Sequence, residues 1–365
     1  MTWPEARARF PVLERYAYLN AGTFGPLARS TLEAMAKLRA WEAVHGRAGR
    51  AYIDAMLDRR ERVRALLAEQ IRVPAEHVAL TDSTTQGVHV VVVGLGLGRG
   101  DEVVTTDAEH FGLVGPLAAS GATLRIARVR DARAADVFDL VQREVTPRTR
   151  LIATSAVSWI DGKRIPWHEL RDATQVPILV DGAQSAGALD VEATGSDFYT
   201  VSAQKWLCGP DATGALYVAD VDALPPRLVA YPSAETYDLA GGSWQPKAGA
   251  RRYDAAFTPA TSLSGLEAAL EDLPEGRFER ALDLAERCRE LLLEQGHEVV
   301  TEAGQGTLVS FRWAGDAAAA AAALYDRHVV VRDLPGTGLL RVSVGWWNDG
   351  SDLERLVEAL AELSG

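Results

Sequence analysis

The chain has 365 residues, 47% of them hydrophobic, which is enough to bury a large core and too many for one minimal domain, so two lobes are expected. Its 50 acidic and 38 basic side chains leave a formal net charge of −12, a field that repels phosphate polymers and anionic membranes, so neither nucleic acid nor a membrane surface is expected as a partner. Cys208 and Cys288 lie far apart without metal-ligand spacing, the N-terminus lacks the apolar core of a signal peptide, and no apolar run reaches the ~20 residues of a membrane span; a cytoplasmic protein with neither disulfide framework nor metal is the expectation.

The opening residues carry an exposed helical pattern to about Leu13, after which Tyr16, Tyr18 and Leu19 read as a short strand. Asn20 to Pro26 is a turn-rich loop that brings small residues and bare amides together. From Ser30 to Ile71 apolar residues recur at three-to-four spacing (Leu32, Met35, Leu38, then Ile53, Leu57, Val63), which predicts two helices joined near Gly46–Gly49. Val78–Leu80 is a short strand, and Ser83-Thr84-Thr85 opens a helix. The hydroxyls there are either N-caps or, with the helix amides and dipole, a phosphate site. The Gly94–Gly100 string follows a helix and precedes the strand Glu102–Thr105, the wrong order for a dinucleotide loop.

Glu109-His110-Phe111-Gly112 comes directly after that strand, where ligands usually sit in α/β proteins, so His110 is either structural or catalytic. A strand Thr123–Val129, a helix Val137–Val145 and a β-like run Leu151–Ser158 ending in Trp159 follow, then a helix Trp167–Thr174 with His168 on its exposed face. Val176–Val180 reads as a buried parallel strand with Asp181 at its C-terminal end, either a helix cap or a charge partner for a ligand. Lys205 lies between an apolar run (Phe198, Tyr199, Val201) and the Gly209-Pro210 turn that leads into Gly214–Val218. Burial of a lysine favours the neutral, nucleophilic amine, which enzymes use for a Schiff base to a carbonyl cofactor such as pyridoxal phosphate; a surface lysine in a loop is the alternative. The βαβ rhythm delivers Thr84, Thr85, His110, Trp159, Asp181 and Lys205 to one rim of one sheet, which favours the nucleophile.

Beyond Pro225 the texture changes. Tyr231–Ala256 reads as a long irregular loop, followed by helices Leu263–Leu273 and Phe278–Gln295. An α+β region closes the chain, with strands His297–Val300, Gly306–Trp313, Val329–Val331 and Leu339–Val344, a helix Ala317–Tyr325, and a last helix with Ser351 and Glu354 at capping-box spacing.

Two motifs, VDGAQSAG and the following SAQKWLCGP, together with YLNAGTFGPL and VSWIDG, carry a resemblance. Over nearly its whole length the chain resembles the class V aminotransferase family of fold-type I pyridoxal-phosphate enzymes, which holds cysteine desulfurases, cystine and cysteine C–S lyases, kynureninases and isopenicillin-N-epimerase-like proteins. The resemblance implies an α/β fold, with a large domain (15–255) on a mostly parallel sheet of seven-stranded type and a smaller α+β domain (256–365 together with 1–14). It implies pyridoxal 5′-phosphate as cofactor and a homodimer. Lys205 would carry the cofactor and take the substrate's Cα proton, Asp181 would face the pyridine nitrogen, Gln184 would bond the phenolic oxygen, and His110 would lie over the ring. Thr84, Thr85 and Ser202 would hold the phosphate, Arg341 in LLRVSVG would take the substrate carboxylate, and Asn20 in the N-terminal loop would help to bind substrate.

The departures from the family are informative. Gln204 precedes the lysine where many relatives have a histidine, Trp159 stands where desulfurases carry an asparagine, and the inter-subunit Gly-Thr-Pro element is approximated by Phe257-Thr258-Pro259 with Thr258 as its candidate. Arg332–Leu340 has no cysteine where a desulfurase presents its persulfide-forming thiol. The expectation is therefore a C–S lyase acting by β-elimination on a cysteine-like amino acid or conjugate. An epimerase or aminotransferase is the alternative on the same cofactor, and a non-catalytic binding protein the alternative of another class.

Overall fold

The computed structural model describes residues 2–255, 257–271 and 273–364. The chain opens with helix α1 (Trp3–Ala8), strand β1 (Ala17–Tyr18) and two long helices, α2 (Arg29–His45) and α3 (Arg50–Gln70). Strands and helices then alternate: β2 (Val78–Thr81), α4 (Thr84–Leu95), β3 (Glu102–Thr106), α5 (Phe111–Ala119), β4 (Thr123–Ala127), α6 (Val137–Gln142), β5 (Thr149–Ser155), α7 (Trp167–Thr174), β6 (Ile178–Asp181), β7 (Phe198–Ser202) and β8 (Gly214–Val218).

Strands β2 to β8 form one seven-stranded sheet in the order β2-β8-β7-β6-β5-β3-β4. Every neighbouring pair is parallel except the two made by β8, which runs against both β2 and β7. Parallel sheets need both faces covered, and β6 and β7 are buried at every residue, their polar Asp181, Thr200 and Ser202 included. The expected α/β fold with its mostly parallel sheet is therefore the observed one. Helix α4 begins where the Ser83 side chain accepts from the Gln86 amide and ends at Gly96, whose φ of 63° lets the chain leave in the left-handed conformation.

The remaining elements are β9 (Ala234–Asp238), β10 (Ser243–Pro246), α8 (Ala260–Leu270), α9 (Arg277–Glu294), β11 (Leu308–Arg312), α10 (Ala317–Asp326), β12 (Val329–Val330), β13 (Arg332–Leu334), β14 (Leu339–Ser343) and α11 (Gly350–Ser364). An antiparallel sheet β11-β14-β13 packs with α9, α10 and α11 around Cys288, Phe311, Leu340, Val342 and Leu356. Ala17 and Leu19 belong to that same core, because β1 pairs in parallel with β12. Helix α8 packs instead on α2 and α3. The expected domain division falls at Ala256, which lies outside the described residues, as do Asp272 and the terminal Gly365.

Several local expectations differ from the structure. The opening helix stops at Ala8 and Pro11 starts a separate 3-10 turn, since proline cannot donate to the preceding helical turn. Tyr231–Ala256 holds an antiparallel hairpin, with Trp244 opposite Tyr237; β9 is mostly exposed, so its sequence shows no buried-face alternation. Of His297–Val300 only Val299 bridges, to Phe311. The helix expected over Leu263–Leu273 spans Ala260–Leu270. Helix α11 is capped by Asp349, whose Oδ1 accepts from the Ser351 amide at 3.0 Å and the Ser351 hydroxyl at 2.6 Å, so Ser351 lies inside the first turn instead of capping it.

Candidate active site

Because β3, β5, β6 and β7 run parallel, their C-terminal ends share one edge of the sheet. Strand β2, antiparallel to β8, points the same way as β7 and brings the start of α4 to that edge. A cavity of about 160 Å³ opens there, lined by Ser83, Thr84, Thr85, His110, Ser155, Trp159, Asp181, Ala183, Gln184, Ser202, Gln204 and Lys205. The expected residues Lys205, His110, Asp181, Gln184, Thr84, Thr85, Ser202, Gln204 and Trp159 thus share one cavity. Thr258 does not line it; its hydroxyl is buried with no partner among the described residues.

Arg341 and Asn20 lie beside the cavity. Arg341 is 2% exposed and donates from Nη1 to the Trp159 carbonyl at 2.8 Å and from Nη2 to Thr23 Oγ1 at 3.4 Å. Thr23 Oγ1 in turn donates to Asn20 Oδ1 at 2.8 Å. Burial pushes the Arg341 guanidinium down to about 9, and the neighbouring Arg332 pushes the same way. Among the described residues no carboxylate forms an ion pair with either arginine.

Desolvation lowers the Lys205 amine to about 8, with Asp181 opposing and Arg341 and Arg332 assisting. The lysine turn is held by its own backbone, Cys208 N donating to the Lys205 carbonyl at 3.0 Å and Gly209 N to the Ala203 carbonyl at 2.9 Å. Asp181 Oδ1 accepts from the Ala183 amide at 2.9 Å, which fixes the carboxylate at the strand end. His110 caps α5: its Nδ1 accepts from the Gly112 amide at 3.0 Å, so in the neutral ring Nε2 carries the proton. Desolvation first, then the Lys205 charge, lowers its pKa, and its ring stands edge-on to Trp159 with centroids 5.2 Å apart.

Gln184 is oriented from both ends, its Oε1 accepting from Trp206 Nε1 at 3.0 Å and its Nε2 donating to the Gly22 carbonyl at 2.9 Å. One N–H of that amide remains for a ligand. Sequence reasoning missed Trp206 as its orienter, and it missed Glu109 and Ser155. Glu109 accepts from Thr106 Oγ1 at 2.7 Å and from the Ser155 amide at 2.9 Å, joining the ends of β3 and β5 beneath the cavity. Burial raises its carboxyl pKa despite those bonds, and the Asp181 charge raises it further. Ser155 stands opposite Asp181 in the β5–β6 register, a relationship that no local signal carries.

The donor set fits pyridoxal phosphate. A depressed lysine amine, a fixed carboxylate and a hydroxyl-rich helix start share the cavity, and Trp159 Nε1 and Gln204 Oε1 are buried there without partners among the described residues.

Comparison with known proteins agrees with this arrangement. Isopenicillin N epimerase of Streptomyces clavuligerus is 27% identical over 404 aligned residues, covering 100% of this chain and 98% of that one. The cysteine desulfurase CsdA of Escherichia coli is 26% identical over 97% of this chain and 96% of its own. Among solved structures, the complex between the cystine C–S lyase C-DES and its reaction product cysteine persulfide superposes with a TM-score of 0.89 at 27% identity, covering 97% of this chain and 99% of that one. The family model described as Aminotransferase class-V matches residues 17–356. The chain belongs to the class-V aminotransferase family of pyridoxal-phosphate-dependent enzymes.

Proposed function

We propose that this protein is a C–S lyase that performs β-elimination on a cysteine-like amino acid or cysteine conjugate, releasing pyruvate, ammonia and a sulfur product. The observation that carries this reading is that the segment Arg332–Leu340, which begins with β13 paired to β14 opposite Arg341, holds no cysteine where desulfuration would need a persulfide-forming thiol. Both cysteines are buried, Cys208 in the lysine turn and Cys288 in α9, and burial raises both thiols, Cys288 to about 12, so neither supplies a thiolate near neutral pH. The likeness to a cystine C–S lyase supports the same reading.

Pyridoxal phosphate, when bound, supplies an electron sink for negative charge at the substrate Cα. The start of α4 and Ser202 would hold its phosphate, Asp181 would hold the proton at its ring nitrogen, and Gln184 and Trp159 would offer N–H donors to its ring oxygen. Arg341 takes the substrate carboxylate in a charge-assisted bond. Lys205, whose amine burial lowers to about 8 so that a large share is neutral near that pH, accepts the Cα proton at Nζ. The Cβ–S bond then breaks, the electron pair leaves with sulfur, and the released three-carbon unit is hydrolysed to pyruvate and ammonia.

Epimerisation is the second reading. It is favoured by the whole-length likeness to an epimerase and by His110, whose Nε2–H gives the cavity a second proton carrier. We also infer a homodimer and a cytoplasmic location. Exposed Leu32, Trp41, Val44, Ile53 and Leu57 on α2 and α3 support the first, and two free buried cysteines support the second. Among the described residues no helix is long and apolar enough to cross a membrane.

The deciding experiment measures pyruvate from cystine and a panel of S-substituted cysteines alongside optical rotation. Pyruvate release supports the lyase. Loss of rotation without product supports the epimerase, and a protein that stays colourless with added cofactor overturns both.

A further inference from the structure

Residues Asn20–Gly25 join β1 to α2 and touch the site on both sides. The Gly25 amide donates to the Gln204 carbonyl at 2.8 Å, one residue before Lys205, and the Tyr18 hydroxyl donates to the Phe24 carbonyl at 3.0 Å. The Gly22 carbonyl accepts from Gln184. On the other side, Thr23 Oγ1 links Arg341 Nη2 to Asn20, and Asn20 bridges to Ser343 on β14.

Sterics make the same connection. A Cβ at Gly25 would lie 1.9 Å from the Lys205 carbonyl oxygen and 3.2 Å from Cys208 Cα, both backbone atoms that cannot give way. A Cβ at Gly22 would lie 2.8 Å from Arg341 Nη2 and 2.9 Å from Ser343 Oγ. The spacing between the lysine turn and the buried guanidinium is therefore set by this one segment of chain.

We propose that Asn20–Gly25 is a strap that holds Arg341 in register with Lys205, with Thr23 and Gly22 as positioning residues for the guanidinium and Gly25 as the positioning residue for the lysine turn. The proposal rests on the reading that Arg341 takes the substrate carboxylate. Arg341 Nε is buried without a partner among the described residues, so the side chain is steered only by the Trp159 carbonyl and by Thr23. Loss of the Thr23 hydroxyl leaves a single tether. A methyl group at position 22 moves the guanidinium bodily. Each change lowers the affinity for a carboxylate; the Thr23 change does so without touching a group that holds the cofactor, whereas Gly22 also orients Gln184 through its carbonyl.

The test titrates cofactor-loaded protein with glycine and with glycinamide, in which a neutral carboxamide replaces the carboxylate, following the cofactor absorbance. Wild type is expected to prefer glycine. Thr23→Val and Gly22→Ala are expected to reduce that preference by roughly 3–10-fold, the loss of about one hydrogen bond, with cofactor dissociation unchanged in Thr23→Val. Thr23→Ser restores it, and Gly25→Ala loosens cofactor retention instead. A wild type without preference overturns the carboxylate role of Arg341 and the strap with it. A wild type that prefers glycine, with Thr23→Val and Gly22→Ala preferring it equally, overturns the strap alone.

Discussion

Arg332 stands directly opposite Arg341 across the antiparallel β13–β14 pair. Directly opposed residues share a face of the sheet, and like charges placed so are mutually destabilising. With no ion-paired carboxylate among the described residues, the pair is a standing demand for anionic ligand groups. A substrate with a second carboxylate, as cystine has, meets it. Arg332→Met is expected to raise KM for cystine by about 10-fold relative to an S-alkyl cysteine with one carboxylate, the worth of one charge-assisted contact. Equal effects on both substrates count against it. Because Arg332 helps to lower the Lys205 pKa, the same variant should move that amine upward.

Lys205 predicts a pH signature in the cofactor-free protein. Its amine is lowered from 10.5 to about 8 by burial, so between those values the unfolded chain binds more protons than the folded one. Stability contributed by this group therefore rises with pH across that window, and the full penalty applies below about 8. Denaturant unfolding at a series of pH values in this range should show the rise in wild type and a flatter curve in Lys205→Met. Lys205→Ala should also abolish the absorbance band near ~420 nm expected of a lysine-bound cofactor, together with turnover.

His110 does two jobs that substitution can separate. As the N-cap of α5 it satisfies the Gly112 amide, so His110→Ala should cost about 1 kcal/mol of stability. Asparagine is itself a good cap, so His110→Asn should recover most of that in thermal melts. If the ring also serves the chemistry, His110→Asn stays slow despite its recovered stability; activity that returns along with the melting temperature would confine His110 to capping.

Asp254 holds together a buried network away from the cavity. It accepts from Arg60 Nη2 at 2.8 Å, from Arg64 Nη2 at 2.9 Å and from the Leu80 amide at 2.8 Å, and all three charged side chains are almost fully buried. Asp254→Ala leaves the buried Arg60 guanidinium without its anion and Arg64 with only Glu61 at 3.3 Å, and is expected to cost about 3–5 kcal/mol in chemical denaturation. A loss below about 1 kcal/mol would show that the arginines find other partners.

Much of the fold was legible because it is written locally. Unbroken apolar runs such as Ile178–Val180 mark parallel strands, and residues at or just past the end of a strand lie on the shared edge, as Asp181, His110 and Lys205 do. The motifs VDGAQSAG and SAQKWLCGP were enough to point to the family. The β9–β10 hairpin stayed hidden because an exposed strand need not alternate.

By itself, then, the sequence determined the strand–helix alternation from β2 to β8, the rim and the chemical types gathered on it. Tertiary structure alone decided which distant groups meet: Trp206 turning Gln184, Glu109 bracing Ser155 opposite Asp181, Thr23 tethering Arg341, Arg332 facing Arg341, and β1 crossing to β12. The reason is physical. Periodicity reports which face of an element is buried, whereas partners across elements follow from strand register and loop path, which arise only when the whole chain packs.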